Sequence, residues 1–154
     1  MEVGFMVSNY NCSIDILFSN GDIQFDVTNG TQLFSFKSGI GFIAIPVFFS
    51  TLSSLYKGEI SEAELVCHGN YDYYLFSTDG TNLFIEHVSH FPDGVFKYEF
   101  NLKKYIAVIC TGFQKFLKQL EKEGILPVKS QEFAHPLGDD ILNAFNGFSS
   151  HLSH

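Results

Sequence analysis

Six histidines and three cysteines are the side chains of this sequence best suited to hold a metal or to pair a nucleophile with a base. His87-x-x-His90 comes closest to a ligand spacing. On a strand, however, residues three apart point to opposite faces, so both reach one ion only if the strand ends between them. Cys67-His68 diverges for the same reason, and exposed or edge histidines are the expectation. Cys110 falls on an apolar helical stripe, where a thiol behaves as a small inert hydrophobe. The carboxylate pairs Glu62/Glu64, Glu121/Glu123 and Asp139/Asp140 fall in connectors or helix ends, where charges are ordinarily solvated. Gly39-Ile40-Gly41 lacks the third glycine and the Lys-Ser/Thr of a phosphate cradle. These residues predict no enzyme, no metal site and no cofactor.

One stretch differs. Asn70 to Glu86 (NYDYYLFSTDGTNLFIE) gathers Tyr71, Asp72, Tyr73, Tyr74, Asp79 and Glu86 into a single hairpin. Tyrosine is enriched at protein interfaces, and carboxylates steer basic partners, so these six are the candidate partner-binding residues. An ordinary half-buried sheet surface is the alternative, since tyrosine suits strands intrinsically.

Charge points the same way. The net charge is −8, and all nine basic residues are lysine. Arginine is the preferred fork for phosphates and the commonest reader of guanine, so its absence weighs against nucleic-acid binding, although a Lys-favouring codon bias gives the same pattern. Residues 1–100 hold twelve acids against Lys37, Lys57 and Lys97, a balance of −9, whereas residues 101–154 balance to +1. Acidity of that kind repels polyanions and attracts a basic protein. Three widely spaced cysteines without C-x-x-C predict a reducing, cytoplasmic setting. No apolar run approaches the roughly 20 residues that span a bilayer, and the N-terminus has no signal-like character.

The elements that must position these residues can be read from periodicity. Phe100 to Gly124 repeats apolar residues at i, i+3, i+4 and i+7, with Asn101 as N-cap, a Phe100–Tyr105 staple and Gly124 as stop. A second helix is expected over Ile45–Lys57, with Pro46 in its first turn and Val47, Phe48, Thr51, Leu52, Leu55 and Tyr56 inward. Strands are expected at Val3–Val7, Ser13–Phe18, Ile23–Thr28, Leu33–Lys37, Leu65–His68, Tyr71–Ser77, Asn82–His87 and Val95–Phe100. Asn29-Gly30 predicts a type I′ hairpin. Glu59–Glu64 reads as a connector, Ile125–Val128 as a short extended piece, and Asp139–Phe148 as a short helix followed by a frayed end. The fold class is α+β: one antiparallel sheet of about seven or eight strands with two main helices on one face. The chain forms a single domain over 1–154, with pseudo-repeat halves at 12–58 and 65–124 and an extension at 125–154. Leu17-Phe18-Ser19-Asn20-Gly21 is echoed by Leu75-Phe76-Ser77-Thr78-Asp79-Gly80, and Leu33–Phe36 by Val95–Tyr98.

Phe48-Phe49-x-x-Leu52-x-x-Leu55-x-x-Gly58 and the Phe100-x-Leu102-x-x-Tyr105 start of the long helix complete this organisation. In these features the chain resembles small acidic immunity proteins of bacterial polymorphic-toxin and contact-dependent growth inhibition systems. The resemblance covers residues 13–124 and implies a non-enzymatic cytoplasmic protein that binds and occludes one cognate toxin domain, such as a basic nuclease. It carries over no contact residues. The alternative is a sheet that binds single-stranded nucleic acid, as in the Whirly and Pur-alpha folds, with exposed aromatics stacking on bases.

Overall fold

A computed structural model describes residues 11–19, 21–68, 71–90, 93–126 and 138–152. The expected strand Val3–Val7 and the end of the piece over Ile125–Val128 lie outside them. Alternating segments form β1 (Ser13–Ser19), β2 (Asp22–Thr28) and β3 (Leu33–Lys37), paired antiparallel in that order as sheet A. Ile23, Phe25, Val27, Phe34 and Phe36 alternate inward and are fully buried. Helix α1 (Gly41–Lys57) follows. Then β4 (Glu62–Val66), β5 (Tyr73–Thr78), β6 (Asn82–His90) and β7 (Asp93–Asn101) form a second antiparallel meander, sheet B. Helices α2 (Leu102–Lys122) and α3 (Asp139–Leu152) complete the described chain.

The α+β expectation holds, but the seven described strands divide into sheets of three and four instead of one sheet with helices on one side. Alternation tells which residues of a strand share a face, and it is silent on what covers that face. Here the two sheets cover each other in part. Phe34 and Phe36 of β3 meet Tyr74 of β5 at 5.5 and 5.1 Å between ring centroids, and Phe34 meets Tyr98 of β7 at 5.0 Å. Phe48 of α1 stacks on Phe36 at 4.3 Å and on Phe25 at 5.1 Å, and also meets Phe76 of β5. Helix α2 touches β1 and β2 of sheet A and β6 and β7 of sheet B. Both long helices therefore bridge the two sheets. Helix α3 lays Phe145 and Phe148 on Phe49 of α1, and Phe145 on Phe113 of α2, as an outer layer.

Helix α2 forms as its sequence predicts. The Asn101 side chain accepts from the Lys104 amide at 3.0 Å, the Phe100 and Tyr105 rings lie 5.2 Å apart, and Gly124 has φ +77°. Helix α1 departs from expectation at its start. It begins one turn earlier, at Gly41, because Ala44 and Ile45 are buried and the Gly41 amide is held by Gly21. Pro46 consequently lies inside the helix, Val47 is exposed and Phe49 is buried in its place. Three residues of the expected connector, Glu62, Ala63 and Glu64, lie on β4. The expected frayed end is helical through Leu152.

The sheets are joined at the end of β3. Ser38 Oγ donates to Asp22 and accepts from the Ile23 amide, while its carbonyl accepts from the His68 amide. Gly39 crosses directly over His68 at φ +73°. Asn29-Gly30 does not form a two-residue type I′ turn. The Thr28–Leu33 pairing encloses four residues, and the Asn29 side chain accepts from the Thr31 and Gln32 amides.

Candidate interaction surface

The six residues expected to bind a partner do not share one face. Tyr71 is 81% exposed, ahead of β5. Tyr73 and Glu86 lie on the outer face of sheet B, with Glu86 opposite Lys97 and 3.7 Å from its Nζ. Tyr74 is a correction: it is fully buried, its hydroxyl accepts from the Lys37 amide, and burial pushes its pKa far above the ordinary value. It holds β3 to β5 and offers no surface. Asp79 is exposed, but its carboxylate accepts from the Thr81 and Asn82 amides, and those bonds hold its pKa below the usual range. It builds the β5–β6 turn.

Asp72 is likewise internal in its role. Its side chain is 14% exposed, with one oxygen 2.9 Å from His87 Nε2 and the other accepting from the His90 amide at 3.1 Å. Burial acts to raise its pKa, but these two bonds and the nearby imidazoles outweigh it and hold the carboxyl below its normal range. His87 and His90 lie on opposite faces of β6 by alternation, yet both rings approach one carboxylate, His87 Nε2 at 2.9 Å and His90 Nδ1 at 3.7 Å from Asp72. They meet through Asp72 because it sits one residue before β5, diagonal to His87 on the inner face and within reach of the His90 backbone. His87, 18% exposed, is therefore not the surface histidine the sequence suggested. Among the described residues no three His, Cys, Asp or Glu side chains are arranged to hold a metal.

A groove of about 700 Å³ runs between β1 and α2, bordered by Cys12, Asp15, Lys115 and Gln119. Burial pushes the Cys12 thiol up, more strongly than Lys104 lowers it, and burial also raises Cys110. Neither thiol is activated toward nucleophilic attack.

What sequence reasoning missed is the outer face of sheet B. Direct pairing aligns Val66, Tyr73, Val88 and Val95 in one row across the four strands. The next row is Glu64, Leu75, Glu86 and Lys97, and the third is Glu62, Ser77, Phe84 and Glu99. Each strand contributes only alternate residues, so the grouping is invisible until the register is known. No protein-family model, curated protein or solved structure matches the chain.

Proposed function

We propose that this protein is a non-enzymatic binding protein of the immunity type, which occludes a basic toxin domain through its acidic strand surface. The observation that carries the reading is the separation of charge by element. The seven strands hold eight acids, three on sheet A and five on sheet B, against Lys37 and Lys97 alone. Helix α2 holds five lysines against Glu121. Sheet B carries five of the eight, and an acidic face of that kind attracts a cationic partner in one orientation, which raises both the rate and the selectivity of encounter. The resemblance to immunity proteins supplies the class of partner: a toxin domain whose basic cleft the acidic side fills in place of substrate. Carboxylates on the strands oppose phosphate, so they count against the single-stranded nucleic-acid alternative.

Titration calorimetry against the product of the adjacent upstream gene, rendered catalytically inactive, tests the reading. Saturable 1:1 binding that weakens as salt rises is expected. Absence of binding at low salt overturns it, and a shift of a single-stranded oligonucleotide under the same conditions favours the alternative.

A further inference from the structure

We infer that the outer face of sheet B is the surface on which the basic partner docks, with the Val66–Tyr73–Val88–Val95 row as its dry centre. The inference rests on the reading of the protein as a binder of a basic protein and says where that partner sits.

In an antiparallel sheet packed on one side, the outward positions are ordinarily polar. Here the inward positions are already filled by Tyr74, Phe76, Leu83, Ile85 and Phe100, all fully buried. The outward ones should then be solvated, yet half of the twelve in the three rows are apolar or aromatic. Val66, Val95 and Phe84 are 46, 54 and 36% exposed. Val66 and Val95 end the first row with half-buried Tyr73 and Val88 between them, and an apolar row left open in this way marks a contact surface. Its charge selects the occupant. Glu64 and Glu86 stand beside the apolar row and Glu62 and Glu99 one row farther on, and the single cation of the three rows, Lys97, lies against Glu86. An apolar centre with an anionic flank fits a partner that presents an apolar strip bordered by lysine or arginine.

The mode of docking follows from the sheet edge. Strand β7 ends sheet B, and at Glu99 both its amide and its carbonyl are taken by the Gln32 side chain, at 3.0 and 2.8 Å. An added strand cannot pair at that end of β7, which favours a partner lying across the face over one that extends the sheet there. Four strands about 4.8 Å apart and five residues at about 3.4 Å give a projected area on the order of 300 Å². A stable interface takes roughly 800 Å² from each side, so contact must run past the rows to exposed Tyr71.

The test uses the full chain and the inactive upstream gene product as probe, with Val95→Lys, Glu64→Lys and Asp15→Lys compared. The last changes net charge as Glu64→Lys does, but on sheet A. Retained circular dichroism and melting temperature confirm that each variant is folded. Val95→Lys is expected to weaken Kd by about tenfold or more. Glu64→Lys is expected to slow association severalfold at low salt, with Asp15→Lys close to wild type. If the wild type binds and all three variants bind alike, or only Asp15→Lys is impaired, the sheet B assignment is overturned while the binding function stands. If the wild type does not bind, both fall.

Discussion

Gly39 is the position where one added methyl group should be felt across the whole molecule. A Cβ there would overlap the backbone carbonyl of His68, and the residue is held at φ +73°. In Gly39→Ala the left-handed conformation alone costs roughly 1–2 kcal/mol. Relief of the overlap requires His68 to move, which breaks its amide bond to the Ser38 carbonyl and loosens the Gly39 amide bond to Asp22. Each such bond contributes about 0.5–1.5 kcal/mol, so the total is about 3 kcal/mol. Gly30→Ala supplies the control. Gly30 has φ +92°, but nothing lies within 4 Å of its added Cβ, so only the conformational cost of roughly 1–2 kcal/mol applies. In a chain of this size each kcal/mol lowers Tm by about 2–4 °C. Urea and thermal unfolding of both variants measure the difference. Equal losses would refute the crossing of β3 over His68 as a joint between the sheets.

Three further outcomes follow from single contacts. Asp72→Asn removes a carboxylate whose pKa is depressed by its partners, so that charge stabilises the fold above the unfolded value near 3.9 and the benefit disappears as pH falls through the lower folded pKa. The variant should be less stable than wild type at pH 7, with the gap closing below about pH 4; a gap independent of pH would contradict the ionic role. Gln32→Ala orphans the Glu99 amide at the edge of sheet B and leaves its carbonyl only the longer bond from Asn29, so it should cost about 1–2 kcal/mol, read also as faster hydrogen exchange at Glu99. Tyr105→Phe should be neutral or stabilising by up to about 1 kcal/mol in urea unfolding, because the Tyr105 hydroxyl is buried without a hydrogen-bond partner. A loss above that size would point to a partner for the hydroxyl.

The features legible in the sequence are those that depend on residues close in the chain. Asn101 caps its own helix, and the α2 stripe from Leu102 to Leu120 needs only a 3.6-residue period to be recognised. The division into two sheets depends on Phe34 and Phe36 meeting Tyr74, about forty residues away, and no local pattern encodes that choice. The hairpin residues were misplaced for a related reason. In Tyr73-Tyr74-Leu75-Phe76 both alternating sets are apolar, so composition cannot say which set faces in. A signal was present nonetheless: Glu62, Glu64 and Glu86 share the parity of Tyr73 and Leu75 once the hairpin registers are drawn, which turns Tyr74 inward.

The recurrence of one loop shows how much weight an internal echo can bear. Thr28-Asn29-Gly30-Thr31-Gln32-Leu33-Phe34 and Thr78-Asp79-Gly80-Thr81-Asn82-Leu83-Phe84 agree at five of seven positions. In both, the first threonine hydroxyl donates to the carbonyl four residues on and accepts from the glycine amide, and the Asn or Asp accepts from the next two amides. Yet the faces are reversed. Phe34 is buried and Leu33 exposed, whereas Leu83 is buried and Phe84 exposed. A duplicated unit should keep its buried face, because a slip of one residue moves every side chain to the other side. The shared residues are therefore better explained by what this four-residue turn requires than by descent of one half from the other. The same reasoning gives an asymmetric outcome for exchanging the capping residue. Asp79→Asn, at an exposed turn, should change stability by less than about 0.5 kcal/mol. Asn29 is only 4% exposed, and its Nδ2 donates to the Glu99 carbonyl at 3.3 Å. Asn29→Asp replaces that donor with a buried carboxylate facing a carbonyl oxygen and should cost about 2 kcal/mol at pH 7. Equal costs in urea unfolding would mean that the two loops are interchangeable after all, and duplication would regain its case.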